Sequence, residues 1–389
     1  MNIPGLDSIH DWRGKTVIVR AGMNVPIEED GSIADDFRLE RVLPTISYLR
    51  DQEAKIVVIS HIGRDTHQTL EPVATYLQQT LPVVFKPEFF KDNLSQHIQE
   101  LKQEIGQSDN GTIWLLDNLR QNPSEKENDM AIAQLLGDVG DVYVNESFSV
   151  SHREHMSMYA LAQSIKPALA GYACEEEVTQ LSLALRPPTG SIAVISGNKF
   201  DTKLPLINKF LNHYDTVVVG GALANTLYHL SGYEIGQSLD ESDLDEETES
   251  SLRAILANEK LYLPAIVICS KGSGEKQAKH INEVEPDDYI YDIAPEGLIE
   301  LEPLIAQSRL VVWNGPLGYY EGGYTEGTKR LLELLATSDT QSIVGGGNTV
   351  DAARDLGYED QLSFLSTGGG AMIDFLTNGS LPALEQLRK

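Results

Sequence analysis

Ser342–Gly357 reads SIVGGGNTVDAARDLG. A short apolar run ends in Gly345, Gly346 and Gly347, and a helix-like segment opens at Asn348 and Thr349. Without side chains, the glycines let a ligand approach the main chain, and the helix start that follows offers N–H groups with no partner in the helix. The combination is a seat for an anion, above all a phosphate. Strand, glycine turn and helix in that order are also the building unit of a parallel sheet, and the unit recurs along the chain.

Short apolar runs alternate with helix-length amphipathic segments almost throughout. TVIVR (16–20), KIVVIS (55–60), TIWLLD (112–117) and DVYVN (141–145) read as strands in the first half. IAVIS (192–196), TVVVGG (216–221), RLVVWN (309–314), QSIVGG (341–346) and LSFLS (362–366) do so in the second. Continuously apolar strands separated by helices belong to parallel sheets covered on both faces. The expectation is an α/β protein of two doubly wound, Rossmann-like domains. A length of 389 residues suits two cores better than one. The seam falls in Gly171–Pro188, where a helical stretch is closed by Pro187 and Pro188. The expected boundaries are 1–171 for the first domain, 172–186 for a connecting helix and 187–371 for the second domain.

Composition narrows the function. Hydrophobic residues make up 41% and charged residues 23%, as in an ordinary globular protein. Cys174 and Cys269 lie far apart in no metal-ligand spacing, which favours a reducing cytoplasm over a disulfide framework. The N-terminus MNIPGLDSIHDWRG has no basic start followed by an apolar run, so no signal peptide is expected. No apolar stretch of membrane-spanning length occurs. The formal charge of −28 argues against general nucleic-acid or anionic-membrane binding. It also makes the placement of cations informative, because a site for anionic ligands must gather its few Arg and Lys locally.

Parallel α/β sheets bind ligands at the carboxyl ends of their strands. In the first half those ends carry Arg20 and Asn24, His61 and Arg64, Arg120, and His152 and Arg153, with Arg38 in the segment after the first strand. In the second half they carry glycine: Gly197, Gly220 and Gly221, Gly315, Gly345–Gly347, and Gly368–Gly370. Guanidinium groups capture carboxylate and phosphate in a two-pronged fashion. Glycine-rich loops suit a nucleotide's phosphates. Lys199 and Lys203, four apart after the strand at 192–196, share one face of a helix opening and suit phosphate neutralisation.

With these residues in place the chain resembles phosphoglycerate kinases over essentially its full length. The motifs are RAGMNVP (20–26), DDFR (35–38), SHIGR (60–64), LEPVA (70–74), DNLR (117–120), DVYVNESF (141–148), SHREH (151–155), SGNKFDTK (196–203), GGALANT (220–226), GYEIGQSL (232–239), WNGPLG (313–318), GGGNT (345–349) and STGGGA (366–371). The resemblance implies reversible phosphoryl transfer between ATP and the carboxylate of 3-phosphoglycerate. It implies that Gly22, Asn24, Arg38, His61, Arg64, Arg120 and Arg153 line the 3-phosphoglycerate site. Arg38 and Lys199 become the groups that stabilise the transferring phosphoryl. Lys203, Gly220, Gly221, Asn314, Pro316, Glu321, Gly346, Gly347, Asn348 and Thr349 become nucleotide ligands, with Glu321 on the ribose, and Gly368, Gly369 and Gly370 a further phosphate loop. Trp313 continues an apolar strand and reads as core rather than as a base-stacking group. Mg²⁺ with ATP or ADP is the implied cofactor, and a monomer in the cytoplasm the implied state. A C-terminal tail, 372–389, is expected to return to the first domain. The acceptor carboxylate is already ionised at neutral pH, so positioning and charge neutralisation replace a general base. Substrates on separate domains imply hinge closure.

Two positions depart from the family pattern. Gly22 and Asn348 stand where the family usually has aspartate, the first toward the substrate hydroxyl and the second toward the nucleotide's Mg²⁺. These departures leave two other readings: a non-catalytic relative kept for binding, or an acyl-phosphate kinase acting on a related carboxylate. DIAPEG (292–297) is a third, smaller departure.

Overall fold

The computed structural model describes residues 1–388 except Asp65, Lys199, Ser242, Asp243 and Ser273, and the side chain of Asp201 is also left undescribed. The chain separates into two compact units, Met1–Thr179 with Ser380–Lys389, and Gln180–Gly379. The division falls inside the helix Tyr172–Ala184.

The first unit is built on six parallel strands: β1 (Thr16–Ala21), β2 (Lys55–Ile59), β3 (Val83–Lys86), β4 (Ile113–Leu116), β5 (Val142–Glu146) and β6 (Ala168–Ala170). Their order is β3-β4-β2-β1-β5-β6. The chain runs outward from β1 in both directions, so β1 borders the crevice where such sheets bind ligands. Every residue of β1 is buried, because Val17, Val19 and Ala21 face one helical layer and Ile18 faces the other. One core gathers Val17, Val19, Leu39, Ile46, Ile56, Val58, Val73 and Leu115. The C-terminal helix Pro382–Leu387 belongs to this unit: Ala383 N donates to Ser151 O at 3.1 Å and Lys166 Nζ to Gln386 O at 2.8 Å.

The second unit carries β7 (Ile192–Ile195), β8 (Thr216–Val219), β9 (Leu261–Tyr262), β10 (Ile266–Ser270), β11 (Gln277–His280), β12 (Tyr289–Ile293), β13 (Leu310–Asn314), β14 (Gln341–Gly345) and β15 (Phe364–Leu365). Six of them form a parallel sheet of order β15-β14-β13-β7-β8-β9, and β11-β10-β12 form a small antiparallel one. Both main sheets are the doubly wound α/β type expected from the alternation of apolar runs and helices. The strands of the antiparallel sheet are not among those expected, although β10, IVICS, is a buried apolar run like those of the main sheets. Its edge strand β11, QAKH, is largely exposed and polar, so hydrophobic periodicity cannot reveal it.

Candidate active site

At the carboxyl end of β1 and β2 the first unit packs its cations around a hydrogen-bonded frame. Asp35 Oδ1 accepts from Phe37 N at 2.8 Å in a turn just before the helix Phe37–Asp51, which carries Arg38 in its first turn. Arg38 Nη1 donates to Asn24 O at 2.6 Å, and Asn24 Oδ1 accepts from Gly63 N at 2.6 Å. Gly63 has φ +63°, a left-handed conformation that glycine adopts without strain, and its carbonyl accepts from Arg120 Nη1. Asn118 holds this turn from below: its Oδ1 accepts from Ile62 N and Arg120 N, and its Nδ2 donates to Ile62 O and Gln68 O. Asp117 accepts main-chain N–H groups from Leu70, Glu88 and Asn118. Burial alone would raise its carboxyl; those donors hold it below its ordinary value. Asp117 and Asn118 of DNLR (117–120) are thus scaffold, and Arg120 joins the cations around His61.

The electrostatics mark an anion seat. His61 is buried and its pKa lies far below the ordinary histidine value, first by desolvation and then by the positive charges of Arg20, Arg120 and Arg153. Arg120 is lowered by burial and by Arg153 and Arg64. Its Nε is buried with no hydrogen-bond partner among the described residues. Like charges held this close gain by binding an anion. Arg64 and Arg153 are exposed at the edge, and Arg153 Nε donates to His152 Nε2 at 3.2 Å.

Arg20, read from sequence as one of the strand-end cations, is instead fully buried and turned inward. Its Nε donates to Ser157 Oγ at 3.0 Å, its Nη1 to Ala21 O and Ser147 Oγ, and its Nη2 contacts His61 Nδ1 at 2.8 Å. Ser157 Oγ donates to Glu125 Oε1 at 2.8 Å, and His155 Nδ1 lies 3.7 Å from the same oxygen. Burial pushes Glu125 up, but His155, Arg20 and Ser157 bring it below its ordinary value, so it is an anion. A guanidinium only donates, so Nδ1 of the neutral His61 accepts and the ring proton resides on Nε2. Arg20, Ser157 and Glu125 therefore fix the His61 tautomer. A charged residue within a strand apolar on both faces signals that a buried partner must exist; Glu125 and Ser157 carry no local signature of being that partner.

Gly22 N donates to Glu146 O at 3.1 Å, and a Cβ at Gly22 would lie 3.2 Å from Ser147 Oγ. The Ser147 hydroxyl borders the space that an aspartate would enter.

In the second unit the glycine turns converge. Helices Gly221–Leu230, Gly347–Asp355 and Gly369–Asn378 start directly after Gly220, Gly346 and Gly368, which aligns their N–H groups at the ends of the strands. Backbones here pack too closely for side chains: a Cβ at Gly315 would fall 1.9 Å from Ser196 O, and one at Gly369 3.2 Å from Gly346 Cα. Gly370 lies in the first turn of the helix Gly369–Asn378. Thr349 is buried, and its Oγ1 accepts from Gly315 N at 3.1 Å, joining two of the loops. Ser196 Oγ donates to Pro316 O at 2.6 Å, and Asn314 is buried at the end of β13. Lys203 is buried on the helix Phe200–His213, its ammonium donating to Ser196 O beside Gly197 and Gly315. Lys199 lies outside the described residues. Trp313 is fully buried in β13 and donates to Gly315 O at 2.7 Å, a core residue.

Asn348 and Glu321, read as metal and ribose ligands, touch each other: Asn348 Nδ2 donates to Glu321 Oε1 at 2.5 Å. Both are exposed. Asp292 of DIAPEG is buried beneath Gly318 and accepts from Gly327 N and Ile293 N. Desolvation pushes its carboxyl up to about 8.

These features define a class: a parallel α/β protein that presents clustered cations at the strand ends of one unit and glycine-started helices at those of the other. A sequence model of the family described as phosphoglycerate kinase matches residues 6–379. A phosphoglycerate kinase of Aquifex aeolicus is 35% identical, over 97% of this chain and 96% of that one. One from Syntrophobacter fumaroxidans is 34% identical over the same shares. The solved phosphoglycerate kinase of Coxiella burnetii superposes with a TM-score of 0.84 at 31% identity, covering 100% of this chain and 99% of that one. That of Pyrococcus horikoshii does so at 0.83 and 25% identity. The chain belongs to the phosphoglycerate kinase family. It is a phosphotransferase between ATP and the carboxylate of 3-phosphoglycerate, and the binding-only and related-carboxylate readings are not favoured.

Proposed function

We propose that the first unit takes 3-phosphoglycerate and the second takes ATP or ADP. The observation that carries the assignment is the group of like-charged side chains around His61, whose mutual repulsion an anionic substrate relieves. Asn24, Arg38, His61 through Nε2–H, Arg64, Arg120 and Arg153 bind and orient the phosphate and carboxylate. Gly22 brings no carboxylate to the substrate hydroxyl; the loss of one such hydrogen bond weakens binding by about 1 kcal/mol. Gly220, Gly221, Gly346, Gly347, Gly368, Gly369 and Gly370 present N–H groups to the nucleotide phosphates, and Lys203 neutralises them beside Asn314 and Pro316. Glu321 accepts from the ribose. Arg38 and Lys199 offset the charge that spreads over the phosphoryl oxygens as it transfers.

Mg²⁺ enters as part of the nucleotide substrate. Among the described residues no group of three or more His, Cys, Asp or Glu is placed to hold a metal. Asn348 offers one neutral oxygen, which fits an ion held chiefly by phosphate oxygens and water. Bound there, the ion neutralises phosphate charge. The sparse cysteine usage accords with a reducing cytoplasm; no helix among the described residues is long and apolar enough to cross a membrane. The test is a coupled assay with ATP, Mg²⁺ and 3-phosphoglycerate. Turnover supports the reading; nucleotide binding without turnover, or turnover of another acid only, refutes it.

A further inference from the structure

Gly22 brings no side chain to a place bordered by two buried serines. The Ser60 hydroxyl donates to Ala21 O at 2.8 Å and accepts from Met23 N at 3.1 Å, so its proton is spent and the main chain on both sides of Gly22 is held. Ser147 is the other. A Cβ at Gly22 would lie 3.2 Å from Ser147 Oγ, the closest atom outside the adjoining residues. The sheet brings this serine there: β5 runs parallel beside β1 with Glu146 in register with Ala21, and Gly22 N donates to Glu146 O at 3.1 Å. The carboxylate of Glu146 is committed elsewhere, to Thr45 Oγ1, Ala173 N and Cys174 N. The main chain of Ser147 is pinned, because its N donates to Asn145 Oδ1 at 3.0 Å and its O accepts from Ser151 Oγ at 3.1 Å. Its hydroxyl oxygen accepts from Arg20 Nη1 at 3.3 Å, and among the described residues no acceptor takes its proton. The same guanidinium contacts His61 Nδ1 at 2.8 Å, which ties the hydroxyl to the cation group of the anion seat.

We infer that Ser147 determines specificity at C2 of the acid: its hydroxyl donates to the C2 oxygen, in place of an aspartate at residue 22 that would accept from the C2 hydroxyl. The inference rests on reading the first unit as the 3-phosphoglycerate site. A carboxylate only accepts, so it requires a substrate hydroxyl with a proton to give. A serine whose oxygen already holds a guanidinium has its proton left to give, and the positive partner strengthens it as a donor. The polarity of the contact is therefore reversed in this chain. An acceptor at C2 is what the serine reads, and a carbonyl oxygen satisfies it as a hydroxyl oxygen does. A bare methylene at C2 leaves the buried hydroxyl unpaired, which costs binding. Gly22 is what permits the contact, because without a Cβ at that position the acid can approach the shorter serine side chain.

The test measures, by calorimetry on the full-length protein, the binding of 3-phosphoglycerate, its 2-keto counterpart, and 3-phosphonooxypropanoate, which carries only hydrogens at C2. The parent is expected to bind the hydroxy and keto acids alike and the deoxy acid about fivefold more weakly, as for one hydrogen bond. Ser147→Ala is expected to weaken the hydroxy and keto acids about fivefold and to leave the deoxy acid within about twofold of the parent, with ADP binding unchanged. The deoxy acid separates recognition from support: a serine that merely steadied Arg20 and His61 would, on removal, weaken all the acids equally. The inference is overturned if the parent binds the keto acid no more tightly than the deoxy acid, or if Ser147→Ala weakens the deoxy acid as much as 3-phosphoglycerate. Thermal midpoints check that the variant is folded; where it is not, the order of the acids on the parent decides alone. Should the expected order appear in a protein that fails to phosphorylate 3-phosphoglycerate, the kinase assignment falls and the role of Ser147 stands. A parent protein that binds none of the acids sinks both.

Discussion

Asn348→Asp restores the carboxylate usual in the family, but here it does so against a carboxylate partner. In the parent protein the amide donates to Glu321 Oε1 at 2.5 Å. The substitution removes that hydrogen bond, worth about 1 kcal/mol. It also sets two exposed carboxylates in contact, costing about 1 kcal/mol at a water-like dielectric. Without Mg²⁺ the variant should therefore lose about 2 kcal/mol locally. A divalent ion reverses the sign. Its attraction to one added charge about 4 Å away in water is about 2 kcal/mol, or roughly thirtyfold in affinity. Part of that is spent on realigning Glu321, so the half-maximal Mg²⁺ concentration should fall about tenfold. The assay titrates Mg²⁺ at fixed ATP and 3-phosphoglycerate for both proteins, and records thermal midpoints with and without Mg²⁺–ADP. The variant should be less stable than the parent without the metal and recover with it. An unchanged Mg²⁺ dependence would refute the reasoning, since it would place the ion's protein contact elsewhere. A midpoint unaffected by the substitution in metal-free buffer would show that the Glu321 contact does not persist in solution.

Four further outcomes are expected. Lys199→Ala should depress kcat by tenfold or more with ADP affinity within about threefold, because its charge is needed chiefly as the phosphoryl transfers; a pure affinity loss would give it a ground-state role. Arg20→Met takes the nearby guanidinium charge from buried Glu125, leaving it Ser157 and His155, and should cost about 3 kcal/mol in urea unfolding, whereas Arg20→Met with Glu125→Gln should recover much of that loss but not the KM for 3-phosphoglycerate, since His61 stays unoriented. Glu146, at the end of β5, accepts from Thr45 Oγ1 and from Ala173 N and Cys174 N, and burial pushes its carboxyl up from 4.5 to about 7. The folded state then holds this proton more tightly than the unfolded chain, so Glu146 subtracts stability as pH rises from 4.5 to about 7, by up to about 3 kcal/mol. Glu146→Gln should flatten the urea midpoint against pH over that window relative to the parent; parallel profiles would refute the assignment. Gly315→Ala forces a Cβ to within 1.9 Å of Ser196 O and should abolish nucleotide-dependent thermal stabilisation, which calorimetry with ADP would read directly.

Much of this protein was legible in the residue order. Alternating buried runs and helices dictate two parallel sheets, since a strand apolar on both faces must be covered on both. Cations at one set of strand ends and glycines at the other point to anionic ligands, because in a chain of net charge −28 such clusters need a reason. Ordered motifs identify the family. What local pattern could not carry was pairing at a distance. Arg20 looks from sequence like a strand-end ligand, and only the fold brings Ser157 and Glu125, more than a hundred residues away, to turn it inward onto His61. Asn348 and Glu321 are 27 residues apart and appear as separate ligands until the turn after β13 meets the helix after β14. The tyrosines at 289, 291, 319 and 324 are scattered singly in sequence, and a stacked surface exists only because β12 lies beneath the Glu321 turn. Burial and periodicity are properties of a segment and can be read from it. Tautomers, buried charge partners and ring stacks are properties of contacts between segments, and the tertiary structure alone decides them.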